Sequence, residues 1–120
     1  MKTKRVNRIA AEIKKVISEL ILDSLRDPRI SDMTTISHVK VSNDLSYADV
    51  YVSVLGDEKI KQDSIEGLEN AKGFIKKELG QRLDLRHIPE VRFKIDDTVE
   101  RGLHIEELIS KLNDKSLQNE

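Results

Sequence analysis

The chain has 120 residues, with 21 Lys/Arg against 22 Asp/Glu, a formal net charge of −1 and no cysteine. This length suits one domain with a modest core. The lack of cysteine excludes a disulfide framework and thiolate metal sites and fits a cytoplasmic setting, and no apolar run is long enough to cross a bilayer. Aromatics are only 3% of the sequence, which argues against a surface that holds single strands by stacking bases on rings. The near-neutral total hides an alternation. Residues 1–30 carry +4, 31–71 carry −5, 72–94 carry +4 and 95–120 carry −4. If the two basic blocks fold side by side, one face attracts a polyanion despite the overall balance.

In chain order, Val6, Ile9, Ile13, Val16, Ile17 and Leu20 recur at helical spacing and predict an amphipathic helix to about Leu25. Lys4, Arg5, Arg8, Lys14 and Lys15 lie mostly off its apolar stripe. Asp27-Pro28-Arg29 is expected to end the helix, because the residue before a proline is pushed out of helical geometry. The β-branched run Thr35–Ser42 predicts a strand, and Asn43-Asp44-Leu45-Ser46 supplies turn residues. A second strand, Tyr47–Leu55, alternates strictly: Ala48, Val50, Val52 and Val54 on one face, Tyr47, Asp49, Tyr51 and Ser53 on the other. The short turn makes the two an antiparallel hairpin.

Ile65, Leu68, Ala71, Ile75, Leu79 and Leu83 then continue at helical spacing, but Gly73 interrupts them, and glycine inside a helix costs about 1 kcal/mol relative to alanine. Two readings stand. In one, the helix breaks near Ala71-Lys72-Gly73, and Lys72, Lys76 and Lys77 surround the start of a second helix, where free N–H groups and positive charge favour a phosphate. In the other, one long helix tolerates a glycine. Beyond Pro89 a third strand, Val91–Ile95, is predicted to turn Val91, Phe93 and Ile95 inward. Because a helical crossover precedes it, it should lie parallel to the second strand. The expected sheet has helices on one face, while Tyr47, Tyr51, Ser53, Arg92 and Lys94 occupy the other. Ile105, Leu108, Ile109 and Leu112 suggest a short C-terminal helix. Residues 1–112 thus read as a single domain, and 113–120 as a disordered tail.

This order, α-β-β-α-(kink)-α-β with a three-stranded mixed sheet, resembles the type II KH domain, an α+β fold in which a glycine-containing helix–turn–helix grips a nucleic-acid backbone. The Gly-x-x-Gly loop usual there is replaced by Ala71-Lys72-Gly73 with no insertion. The chain is similar to the ribosome-binding factor A family in several places. They are Arg5-Val6, Asp27-Pro28-Arg29, Met33-Thr34-Thr35-Ile36, the hairpin Val41-Ser42-Asn43-Asp44-Leu45-Ser46-Tyr47-Ala48, Val50-Tyr51-Val52, Ala71-Lys72-Gly73-Phe74-Ile75, Leu85-Arg86 and Pro89-Glu90. Their order and spacing carry the resemblance. One departure is Asp49, where the family often has a basic or neutral residue. The resemblance implies a non-enzymatic monomer that binds 16S rRNA on the free 30S subunit. It further implies support for late maturation and 5′-end processing of that RNA, especially in the cold, and release aided by assembly GTPases. The candidate RNA-binding residues are Arg5, Arg8, Lys72, Gly73, Lys76, Lys77, Arg82 and Arg86, acting on phosphates rather than reading bases.

No catalytic, cofactor or metal constellation competes with this reading. His38, His87 and His104 have no ligand partner at helical or hairpin spacing. Asp96-Asp97 are adjacent residues pointing to opposite sides, which suits a helix start better than a paired acid and base. No phosphate loop or Ser/His/Asp set appears. The alternatives are a protein-binding adaptor using the acidic hairpin and tail, and a DNA-binding helix–turn–helix, whose motif the intervening strands do not suit.

Overall fold

The computed structural model describes residues 2–97. The expected C-terminal helix at Ile105–Leu112 and the tail 113–120 lie outside the described residues. The elements run α1 (Lys2–Asp23), β1 (Thr34–Val41), β2 (Tyr47–Val54), α2 (Glu58–Asn70), α3 (Lys72–Arg82) and β3 (Glu90–Ile95). The apolar stripe of α1 is fully committed: Val6, Ile9, Ile13, Val16, Ile17 and Leu20 are all buried. The helix stops at Asp23, short of the proline. Ser24 and Leu25 both donate to the Leu20 carbonyl, closing the last turn before Pro28 is reached. Asp27 and Arg29 serve instead as a local clamp. The Asp27 carboxylate accepts the Arg29 main-chain N–H at 2.9 Å and its guanidinium.

The sheet order is β1-β2-β3, antiparallel between β1 and β2 and parallel between β2 and β3, as the crossover rule requires. Asp44 is the turn residue expected: it accepts the Ser46 N–H at 3.0 Å and the Ser42 hydroxyl at 2.9 Å. Ala48, Val50, Val52 and Val54 face the helices and are buried with Val91 and Phe93. Ile95 departs from its expected inward place and is 36% exposed. It ends β3, paired with the buried Val52 of β2.

Helix α2 starts at Asp57, whose side chain accepts the Ile60 N–H at 2.9 Å. It also holds the loop after α1. Ser64 accepts the Ser31 N–H, and Gly67 lies under Ile30 so closely that a Cβ there would sit 2.6 Å from Ile30 Cγ1. This fixes the turn between α1 and β1 against the helix that leads to the kink.

Candidate nucleic-acid interface

The helix does break between the two basic-flanked segments, and the residue that breaks it is Ala71. Its backbone (φ −89°, ψ 0°) leaves helical geometry for one residue while its N–H still reaches the Gly67 and Leu68 carbonyls. Its own carbonyl accepts the Ile75 N–H at 2.9 Å, so α3 begins at once with no loop. The small alanine side chain is half-buried against the core.

Gly73 is not the hinge. Among the described glycines only Gly56 has a left-handed φ, and a Cβ built on Gly73 meets nothing within 4 Å. Packing and backbone geometry therefore leave glycine optional at this exposed position. No side chain caps α3, and no acid lies in its first turn. The residues following Ala71 present an uncapped helix start over open space.

The candidate residues fall into two groups. Arg5, Arg8 and Arg82 meet in a groove of about 500 Å³ between α1 and the end of α3, together with Lys15. Glu12, Glu19 and Asp84 share that groove, so it is only mildly basic. Arg82 donates to Glu19 at 3.1 Å across the helices and pairs with Glu78 at 3.3 Å. It fastens α3 to α1 more than it offers a free charge. Lys72, Gly73 and Lys76 line a second depression of about 330 Å³ with Ser46, Ile88 and Glu90. Lys72 is bound to Glu69 at 2.6 Å. Lys77 and Arg86 are exposed and line neither groove. Among the described residues Arg5, Arg8, Lys15, Lys76, Lys77 and Arg86 form no ion pair and remain available to a polyanion.

Block charges could not reveal the acidic rim of the α1–α3 groove, because it depends on which helix faces meet. The pairing of Lys72 and Arg82 did leave a signal, since Glu69/Lys72 and Glu78/Arg82 are spaced three and four apart. Asp96 accepts the Ser37 hydroxyl at 2.6 Å and lies 3.7 Å from His38 Nδ1. It secures the irregularity in β1 between Ile36 and His38. No group of three or more His, Cys, Asp or Glu fit to hold a metal occurs among the described residues. No helix of the described residues is long and apolar enough to cross a membrane.

Two helices meeting at a one-residue kink, packed with α1 on one face of a β1-β2-β3 mixed sheet, define an α+β domain of the KH-like class. Within that class, the profile of the family described as ribosome-binding factor A matches residues 5–109, and the chain belongs to that family. It is 51% identical over 117 residues to ribosome-binding factor A of Finegoldia magna, covering 97% of each chain. The crystal structure of ribosome-binding factor A from Thermus thermophilus superposes with a TM-score of 0.67 at 27% identity, over 75% of this chain and 93% of that one. A homology model of the Thermus thermophilus factor, fitted into a cryo-electron microscopy map of a 30S complex with that factor, gives a TM-score of 0.63 at 26% identity, over 77% of this chain and 96% of that one.

Proposed function

We propose that this protein is a non-enzymatic ribosome biogenesis factor that binds 16S rRNA on the free 30S subunit through the helix-bearing side of the domain. The observation that carries the reading is the uncapped start of α3 at Ala71, open above Gly73 and followed by the unpaired Lys76 and Lys77, in a chain of this family. Such a surface recognises phosphates by charge and main-chain N–H groups and carries no base readout. Lys72 joins it once released from Glu69, Arg5 and Arg8 add charge in the separate groove at the far end of α3, with the exposed Arg86 beyond that end, and Arg82 holds α3 in place. The Thermus relative fitted into a 30S complex supports the choice of the small subunit as partner.

The same proposal takes residues 1–112 as one binding domain followed by a short tail. The protein acts as a cytoplasmic monomer, without cofactor. It supports late maturation and 5′-end processing of 16S rRNA, most strongly in the cold, and it leaves with the help of assembly GTPases before subunits join. Sedimentation of extracts from cells expressing the tagged chain tests the reading. The protein should travel with free small subunits and be missing from joined ribosomes. Recovery only in ribosome-free fractions would overturn it.

A further inference from the structure

The sheet face turned away from the helices gathers a set of residues that the helical side does not use. In register across the strands, Lys40 stands opposite Asp49 and Asp49 beside Arg92. His38 stands opposite Tyr51, and Tyr51 beside Lys94. Tyr47 and Tyr51, the chain's two tyrosines and half of its aromatic residues, both lie on this face, while Phe93 is in the core and Phe74 on α3. The His38 ring stacks on Tyr51 with centroids 4.1 Å apart and planes 13° from parallel. The Arg92 guanidinium lies 4.2 Å over the Tyr47 ring, and the Lys94 ammonium 5.9 Å from the Tyr51 centroid. Two flat plates result, and both stay open to solvent, with side-chain exposures of 57% for His38 and 46% for Arg92. They are about 13 Å apart, the length of four strand residues.

Asp49 arranges this face. Its side chain is only 15% exposed, and its two oxygens take Arg92 at 2.7 Å and Lys94 at 3.3 Å. Burial pushes its carboxyl up, but the hydrogen bonds from the two cations outweigh that and hold it below the usual range. The carboxylate is thereby committed within the face and fixes Arg92 over Tyr47. Lys40, Arg92 and Lys94 balance Asp49, Glu90 and Asp96, the last of which lies 3.7 Å from His38, so the face carries cations beside its rings without a net charge of its own.

We propose that this face is a second nucleic-acid surface. It would take a single-stranded RNA segment whose bases stack on the His38–Tyr51 and Arg92–Tyr47 plates while Lys40 and Lys94 meet its phosphates. RNA-binding sheets stack two or three bases on such aromatics, and guanidinium planes serve equally as platforms. A duplex does not fit, since its bases are already stacked on one another and a flat sheet enters neither groove. A protein partner fits less well. Interface cores are built on apolar anchors, and the outward positions within the three strands carry polar and aromatic side chains, the exposed Met33 and Leu55 lying just beyond the ends of β1 and β2. The inference rests on the RNA-binding reading above for its ligand class, but on different residues and a different mode of contact.

The chain has no tryptophan, so its intrinsic fluorescence reports Tyr47 and Tyr51 alone. The full chain is titrated with a single-stranded oligoribonucleotide of about ten nucleotides and with the duplex of the same sequence. Saturable quenching by the single strand and none by the duplex is expected. The Tyr47→Leu/Tyr51→Leu variant should bind a labelled single strand at least tenfold more weakly, and Tyr47→Phe/Tyr51→Phe should restore binding. Quenching should survive in Lys76→Glu/Lys77→Glu. No quenching, or equal quenching by duplex, overturns the proposal. So does loss of quenching in the lysine variant, which would reduce both surfaces to one. If the leucine variant releases the small subunit while no oligonucleotide quenches, the partner is a protein and the assignment to RNA is wrong. If the lysine variant leaves subunit binding intact while quenching persists, the helix-side reading falls and this one stands.

Discussion

Replacing Gly73 with alanine separates a glycine kept for folding from one kept for contact. Glycine costs about 1 kcal/mol against alanine in mid-helix. Gly73 is the second residue of α3, where part of that penalty is already relieved, so the expected gain is about 0.5 kcal/mol. Nothing opposes it, because no atom lies within 4 Å of the new Cβ and φ lies outside the left-handed region. For a domain of this size that is a rise in melting temperature of roughly 2–4 °C. Binding should move the other way. A methyl group on this surface holds a phosphate off the main-chain N–H groups, and losing one charge-assisted hydrogen bond costs about 1.5–3 kcal/mol, tenfold or more in affinity. Thermal melts by circular dichroism and co-sedimentation with purified small subunits measure the two effects on one preparation. A fall in melting temperature would refute the helical geometry assigned to Gly73. A rise with unchanged binding would refute the close approach of RNA at this point.

Lys76→Glu/Lys77→Glu should weaken co-sedimentation with small subunits at least tenfold and leave the melting curve in place, because both side chains are exposed and unpaired among the described residues. Gly67→Ala should act opposite to Gly73→Ala and destabilise the fold by about 1–3 kcal/mol in urea unfolding, since its Cβ must displace Ile30 from 2.6 Å. Asp27 supplies a pH test. The Arg29 side-chain hydrogen bond, aided by the Arg29 main-chain N–H, holds its carboxyl down to about 2 from an ordinary 3.8. A lowered folded-state value means that its contribution is fully present above about pH 4 and is lost as pH falls towards 2. Asp27→Asn should therefore lower the urea midpoint at pH 6, with most of the gap to the parent gone by pH 2, where the carboxyl is half protonated; a gap undiminished between pH 6 and pH 2 would show that the charge is not what stabilises this turn.

The order of residues along the chain dictates the periodic parts of this protein. Val6 to Leu20 at helical spacing and Ala48 to Val54 at alternate positions each admit one buried face. The Asn43–Ser46 turn and the long crossover then leave one way to pair three strands. The family was legible for the same reason, since its motifs are local and ordered along the chain. Three other features were settled by packing in space. Ala71 rather than Gly73 bears the kink, because the choice depends on which residue is pressed between two helices and the core. Glu12, Glu19 and Asp84 temper the α1–α3 groove, because ion pairing and field follow from which faces meet. The tyrosines, His38 and Arg92 form plates on one open face, because alternation sets a side of the sheet but only strand register sets the neighbour. Spacing along a chain encodes burial; contacts between groups far apart in sequence are fixed by packing, and the chemistry of this surface is made of those contacts.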